Sequence, residues 1–360
     1  MCFMKAVCLC FQVHQPFRVR WYWPQEGYSR DDASVDLYFD QAFNYSVFEK
    51  VCMGYIQSNE VVGDTKLVCT FNLSGTLFDQ CKWHPQMIDS FKKLKGTGVE
   101  FASSPYYNSL SSLFEREDEF VRQVKMHKDA LLRNLGVTST SFINTELVHN
   151  ATIARCLSKL GFSAAISEGS DNSRDQCCYV FDDGNIPFLL RHRGLSEDVQ
   201  FRFSDTNWSE YPLTAKKFVQ WIDSMKGDVL TLYMDYASFG AQERGRSSLE
   251  FLSNLSDEFS LHGIRLLTVA DAVSTFEAAS YEGDVNFSRF DLKHCLSNHM
   301  QYVYFNELKR LCDLHFVRDN IFGYLQQVDI LSTMGTTKPH PFDSAVNVFS
   351  ILSDYARRRV

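Results

Sequence analysis

The sequence predicts an α/β fold, a parallel barrel of strand-helix units followed by a helical part. Three observations predict it. Strand-like and helical runs alternate from residue 6 to about residue 268, the pattern of a parallel sheet covered by helices. Seven or so such units fit a barrel near the (β/α)8 size of ~250 residues. Polar and acidic residues gather where the strands end, at His14-Gln15, Asn72, Ser104, Glu146, Glu168 and Asp235. Strand C-termini of a barrel share one face, and chemistry sits there.

Each element follows from local pattern. Ala6–Val13 is apolar and reads as the first strand. The run 38–56 reads as a helix, with Phe39, Phe43, Val47 and Val51 at spacings near four. A second strand is predicted over 66–73, a helix over 85–95 and a third strand over 99–103. The run 117–135 is a long helix with Phe120, Val124 and Leu131 on one face. Residues 141–145 form a fourth strand. A helix over 150–160 ends at Gly161, a suitable C-cap. Strands follow at 164–167, 189–191 and 229–234, with a helix over 215–226 and a last short strand at 266–268. Beyond about residue 275 no strand pattern persists, and 291–330 and 343–358 read as helical. Residues 1–275 are therefore expected to form the barrel. Residues 276–360 are expected to form a helical bundle packed on it as one rigid body, because no Pro- or Gly-rich linker separates them.

Composition narrows the function classes. Apolar residues make up 45% of the 360, enough for a sizeable core. Aromatics reach 14%, with 30 Phe, serving the core first and sugar-binding faces second. A net charge of −8 without blocks of like charge argues against a nucleic-acid surface. The 11 cysteines are scattered, the adjacent pair Cys177 and Cys178 cannot easily bridge, and no C-x-x-C pair occurs. Buried free thiols in a reducing compartment are the expectation. The N-terminus is apolar only briefly, carries Gln12 and His14 and lacks a small-residue cleavage site. It reads as a strand rather than a signal peptide. With no stretch of 18 apolar residues, a cytoplasmic protein without a membrane span is expected.

Two strand ends carry the chemistry. SFINTELVHN places Glu146 after Phe142 and Ile143. DVLTLYMDYASFG places Asp235 after a buried-strand run from Val229 to Met234. Carboxylates on different strands facing one cleft are what glycoside hydrolysis requires. No histidine pair has metal spacing, and the aspartate-plus-histidines pattern of zinc deacetylases is missing. Neither metal nor cofactor is expected.

Several segments together resemble glycoside hydrolase family 57, within it the cytoplasmic α-amylase-like proteins, over nearly the full length. CFQVHQPFRVRWY looks like the first motif, VEFASSPYYNSLSSL occupies the second, and FINTELVHN looks like the third. TLYMDYASFG looks like the fourth and YLQQVDILSTM like the fifth; YFDQAFNYSVFEKV, GLSEDVQFRFSDTNW and SNHMQYVYFNEL also have counterparts. Their order and spacing are together highly specific. The resemblance implies an incomplete, seven-stranded parallel barrel with a helical bundle. It implies retaining cleavage or transfer of α-1,4-glucosidic bonds in α-glucan or maltooligosaccharide. Glu146 would be the nucleophile and Asp235 the acid/base.

Other positions have two readings. His14 and Gln15 are candidate sugar contacts, against core polar groups satisfied by backbone. Asp329 is a candidate sugar contact across the helical part, against a salt bridge or helix cap. Tyr107, Trp208 and Tyr236 are candidate stacking faces, against packing. Arg202 is a candidate partner of a neighbouring carboxylate. The chain departs from the family pattern at Ser104 and Asn108, where Glu and His are usual. It departs again at Ala237, Ser238, Ala241 and Gln242, at Val328 and Ile330 flanking Asp329, and at Cys295 where Trp is expected. The catalytic pair survives while much of its polar surrounding does not. The alternative function is therefore a catalytically impaired relative that binds oligosaccharide or a protein partner.

Overall fold

The structure is a computed structural model. It describes residues 4–23, 34–168, 178–240, 246–281, 292–314 and 319–359. Cys177, Ala241 and Gln242 lie outside the described residues.

Among the described residues ten strands form one sheet: β1 (Ala6–Val13), β2 (Cys69–Leu73), β3 (Val99–Ala102), β4 (Ser141–Ile143), β5 (Ala164–Glu168), β6 (Val180–Asp182), β7 (Pro187–Arg191), β8 (Val229–Asp235), β9 (Arg265–Leu266) and β10 (Ala279–Ser280). Seven of them run parallel around a ring in the order β1-β2-β3-β4-β5-β7-β8, with β8 returning to β1. Two joints are thin. β3 meets β4 through the single rung Ser103–Phe142, and β7 meets β8 through Arg191–Thr231. The result is the nearly closed seven-stranded barrel that the resemblance implied.

β1 and β4 begin where predicted, and β8 runs one residue further, to Asp235 itself. The short antiparallel β6 and its partner β10 flank the ring outside it, so one two-residue strand occurs beyond residue 275. β9 also stays out of the ring, pairing only with the first residues of β1. The helix Arg246–Leu261 was not predicted, although Phe251, Leu252, Leu255 and Phe259 share its buried face.

Strand alternation sorts the core into two layers. Ala6, Cys8 and Cys10 of β1 face the barrel lumen with Ala102, Ile143, Ala164, Ile166 and Leu189. Val7, Leu9, Phe11 and Val13 face outward to the helices. There Phe11 and Phe71 lie 5.2 and 4.8 Å from Tyr236 between ring centroids. The helix Val269–Thr275 abuts the lumen where the strands begin, its first amides donating to Thr70 and Glu100. The free cysteines of the described residues are all buried. No helix among these residues is long and apolar enough to cross a membrane.

The helical part comprises His299–Asp313, Asn320–Leu325, Val328–Thr333 and Pro341–Arg359. It is stitched to the barrel loops by buried polar contacts. Gln327 accepts from the Phe17 amide at 2.8 Å, and the Val328 amide donates to the Asn108 carbonyl at 3.0 Å. Tyr107 crosses this seam fully buried, its hydroxyl donating to Asn320 at 2.9 Å. A Cβ on Gly323 would come within 2.1 Å of the Tyr107 ring. Gly323→Ala is therefore expected to destabilise the protein by about 1–3 kcal/mol through forced repacking, checked by a chemical denaturation midpoint.

Candidate active site

Glu146 lies just beyond β4, on a single turn Thr145–Leu147, with φ 54° and ψ 23°. Such left-handed backbone costs a non-glycine residue on the order of 1–2 kcal/mol. It persists where the surroundings over-determine it, and Asn144 provides that constraint. Its side chain accepts from the Thr145 amide at 3.0 Å and donates to the Val148 carbonyl and the Ser112 hydroxyl at 2.8 and 2.9 Å. The turn aims Glu146 at the barrel mouth, where its carboxylate meets His294 Nε2 at 3.3 Å.

Asp235 ends β8, paired in register with Gln12 of β1. One of its oxygens accepts from the Ala237 amide at 2.9 Å, which fixes the side chain at the strand end. Both acids open into the same two cavities. One, of about 450 Å3, is lined by Glu168, Arg191, Arg193, Phe201 and Tyr233 among others. The second, of about 500 Å3, is lined by His14, Gln15, Arg18, Asn108, Ala237 and Asp329 among others. The acids, Gln12 and His294 belong to both, so the two form lobes of one cleft. Strand C-termini surround it.

The His14 ring bridges Ser74 and Asp329, at 2.8 Å from each nitrogen. Burial alone would raise the Asp329 carboxyl; the His14 contact, helped by Arg18, outweighs it and holds the carboxyl below its usual range. Asp329 is thus bonded to His14 while still facing the cleft. Gln15 is buried, its side chain donating to the Tyr55 hydroxyl at 3.2 Å and its main-chain carbonyl accepting from the Gln80 side chain at 2.7 Å.

Three predicted contacts are corrected. Tyr107 and Tyr236 are fully buried. Tyr236 follows the inward Asp235, so alternation turns its ring outward, stacked on Tyr55 with its hydroxyl donating to Asn59 at 3.0 Å. Trp208 packs edge-on against Trp221 of the helix Ala215–Asp223, away from both lobes. None of the three presents a face to the cleft. Arg202 pairs with Asp198.

The cleft also holds an ion pair and a histidine that the sequence did not assign to the site. Arg191 grips both oxygens of Glu168 at 2.9 and 3.2 Å and donates to the Tyr233 carbonyl at 3.0 Å. The pair spans neighbouring strands in register. Glu168 stood among the polar residues at the strand ends and Arg191 ends the predicted strand 189–191, but nothing in the sequence paired them. His294 had no signal, arriving on a turn before the helix His299–Asp313. Cys295 beside it is buried; burial raises its thiol, and the nearby charges of Glu146 and Asp329 add to this. Ile330 and Ser104 are buried as well. Among the described residues no three His, Cys, Asp or Glu side chains group as a metal site.

The chain is 32% identical over 333 residues to a putative alpha-amylase of Methanocaldococcus jannaschii, covering 86% of this chain and 69% of that protein. Its fold is similar to a GH57-type branching enzyme of Pyrococcus horikoshii, with TM-score 0.73 at 12% identity, covering 98% of this chain and 89% of that one. It is also similar to the 4-alpha-glucanotransferase of Thermococcus litoralis, with TM-score 0.59 at 17% identity, covering 87% of this chain and 47% of that one. The sequence profile of Glycosyl hydrolase family 57 matches residues 8–282, and with a relative of this identity over most of its length, the chain belongs to that family.

Proposed function

We propose that the protein is a retaining glycoside hydrolase or glucanotransferase acting on α-1,4-glucan, with Glu146 as nucleophile and Asp235 as acid/base. The observation that carries this reading is the pair of strand-end acids opening into one cleft in a family 57 chain. The Glu146 carboxylate attacks the anomeric carbon as the bond to the leaving oxygen breaks. Asp235 gives that oxygen its proton. The resulting glycosyl ester is opened by water, or by a sugar hydroxyl, whose proton passes to Asp235. A retaining pair works at a separation of roughly 5–5.5 Å. His14, Gln15 and Asp329 line one lobe of the cleft and are the proposed sugar contacts there.

The catalytic unit is assigned to residues 1–275, with 276–360 as the helical wall beside His14. Buried thiols fit a cytoplasmic location. The putative alpha-amylase relative, and the glucanotransferase and branching enzyme of like fold, support an α-glucan or maltooligosaccharide substrate. A second reading, an impaired relative that binds oligosaccharide, is favoured by one feature. Ala237 lines the cleft beside both acids and Cys295 lies close to Glu146, apolar or weakly polar groups where donors are usual, and lost donors lower transition-state stabilisation. The test is long incubation with maltoheptaose and chromatography of the products. Shorter products alone indicate hydrolysis, and longer ones transfer. Binding without products indicates the impaired relative.

A further inference from the structure

We propose that Phe201 is the stacking platform of a sugar subsite in the lobe remote from His14 and Asp329, and that it sets the preference for longer substrates. The inference rests on the glucan-acting reading above. A lone exposed Phe has no meaning by itself. This one lines the same cavity as Glu146 and Asp235.

Its backbone holds it there. Residues Asp198–Arg202 form one wide turn. Val199 and Phe203, on either side, are 1% and 6% exposed, whereas Phe201 is 63% exposed. The turn is anchored by its two buried neighbours and clamped by Arg202 on Asp198. The preceding helix Arg193–Glu197 is braced by its own Arg193–Glu197 bridge at 2.7 Å. Ser196 accepts from the Tyr233 amide at 3.2 Å, and the His192 amide donates to the Thr231 carbonyl at 2.8 Å. Both contacts tie the segment to β8, the strand that ends in Asp235. The backbone that carries the ring is thus fixed relative to β8 and the acid at its end.

The lobe's chemistry selects the occupant. Gln200, Arg193, Glu197 and the Arg191–Glu168 pair line it with polar groups of both signs. An apolar ligand would strand those groups, and a highly charged one of either sign would meet its like. A pyranose ring suits the mixture. Its C–H face lies on the aromatic ring, and its rim of hydroxyls meets donors and acceptors. Because the acids are shared with the other lobe, a glucan reacting between them extends along this one.

The test compares the parent with Phe201→Ala and Phe201→Trp on maltotriose and maltoheptaose. In parallel, maltoheptaose is titrated calorimetrically into Glu146→Gln protein with and without Phe201→Ala. Phe201→Ala is expected to lose about tenfold more kcat/KM on maltoheptaose than on maltotriose, about 1.4 kcal/mol. It is expected to weaken binding by a similar factor at an unchanged thermal midpoint. Phe201→Trp, which keeps a stacking face, is expected to stay close to the parent. Equal losses at both lengths, or none in either assay, would overturn the subsite while leaving the catalytic reading intact. If maltoheptaose is neither cleaved by the parent nor bound by Glu146→Gln protein, both readings fall.

Discussion

Glu146→Gln protein is expected to fold like the parent and to turn over maltooligosaccharide at least ~10^4-fold more slowly, the scale of losing a covalent nucleophile. The substitution is close to isosteric and leaves the left-handed turn to the bonds of Asn144, so circular dichroism and melting should not change. The amide cannot form the glycosyl ester. Asp235→Asn is expected to cost a factor of similar order on glucan, for a different reason: the leaving oxygen then departs without a proton. The two losses separate chemically. With a glucosyl fluoride, whose leaving group needs no proton, Asp235→Asn should still form the ester rapidly. Added azide should then capture that ester as the α-glucosyl azide. With Glu146→Ala, azide should enter the vacated space and give the inverted β-azide. Parent-like turnover by Glu146→Gln protein would place the activity elsewhere. Identical azide products from both variants would sink the division of roles.

The strand-end position of the two acids was legible because a strand end is a local property. Apolar β-branched runs stop where the backbone leaves the lumen, and the next acid lies at the mouth. β1 and β8 were legible for the same reason. Short elements were not. The helix Gly75–Gln80 spans fewer residues than two turns. The longer Arg246–Leu261 escaped for another reason: five serines and an asparagine blur its period. The stacking candidates failed on direction. Alternation from Asp235 already turns Tyr236 away from the lumen, whereas the burial of Tyr107 depends on Gly323, distant in the chain. His294 meets Glu146 only through long-range folding. Neighbours supplied by the helical part carry no periodic signature in the sequence.

The segment following His14 depends on one carboxylate far from the chemistry, and Asp354→Ala is expected to destabilise the protein by about 3–5 kcal/mol. Asp354 is buried in the helix Pro341–Arg359. It accepts from Tyr22 at 2.6 Å, Tyr38 at 3.0 Å, Arg358 at 2.7 Å and Arg357 at 2.8 Å. Asn347 of the same helix reinforces the clamp, accepting from the Tyr22 amide and donating to the Arg20 carbonyl. Truncation leaves the Arg358 guanidinium, itself buried, without its counter-charge. That orphaned charge, more than the lost hydrogen bonds, sets the size of the effect. For a chain of 360 residues the melting temperature should fall by ~4–7 °C. Replacing Arg358 by Met in the same protein should recover much of the loss, because an apolar pair of similar volume costs little. The acid limb of wild-type stability carries the same signature. Burial alone would raise the Asp354 carboxyl, but the bonds from Arg358, Tyr22, Arg357 and Tyr38 outweigh it and hold it down to about 2. A carboxyl depressed on folding stabilises the protein above its unfolded value of ~3.9. That contribution, on the order of 2–3 kcal/mol, is lost as pH falls through the folded value. The parent's denaturation midpoint should therefore drop more steeply between roughly pH 4 and pH 2 than that of Asp354→Ala/Arg358→Met protein. Parallel acid limbs in the two proteins would show that this carboxylate does not hold the segment in place.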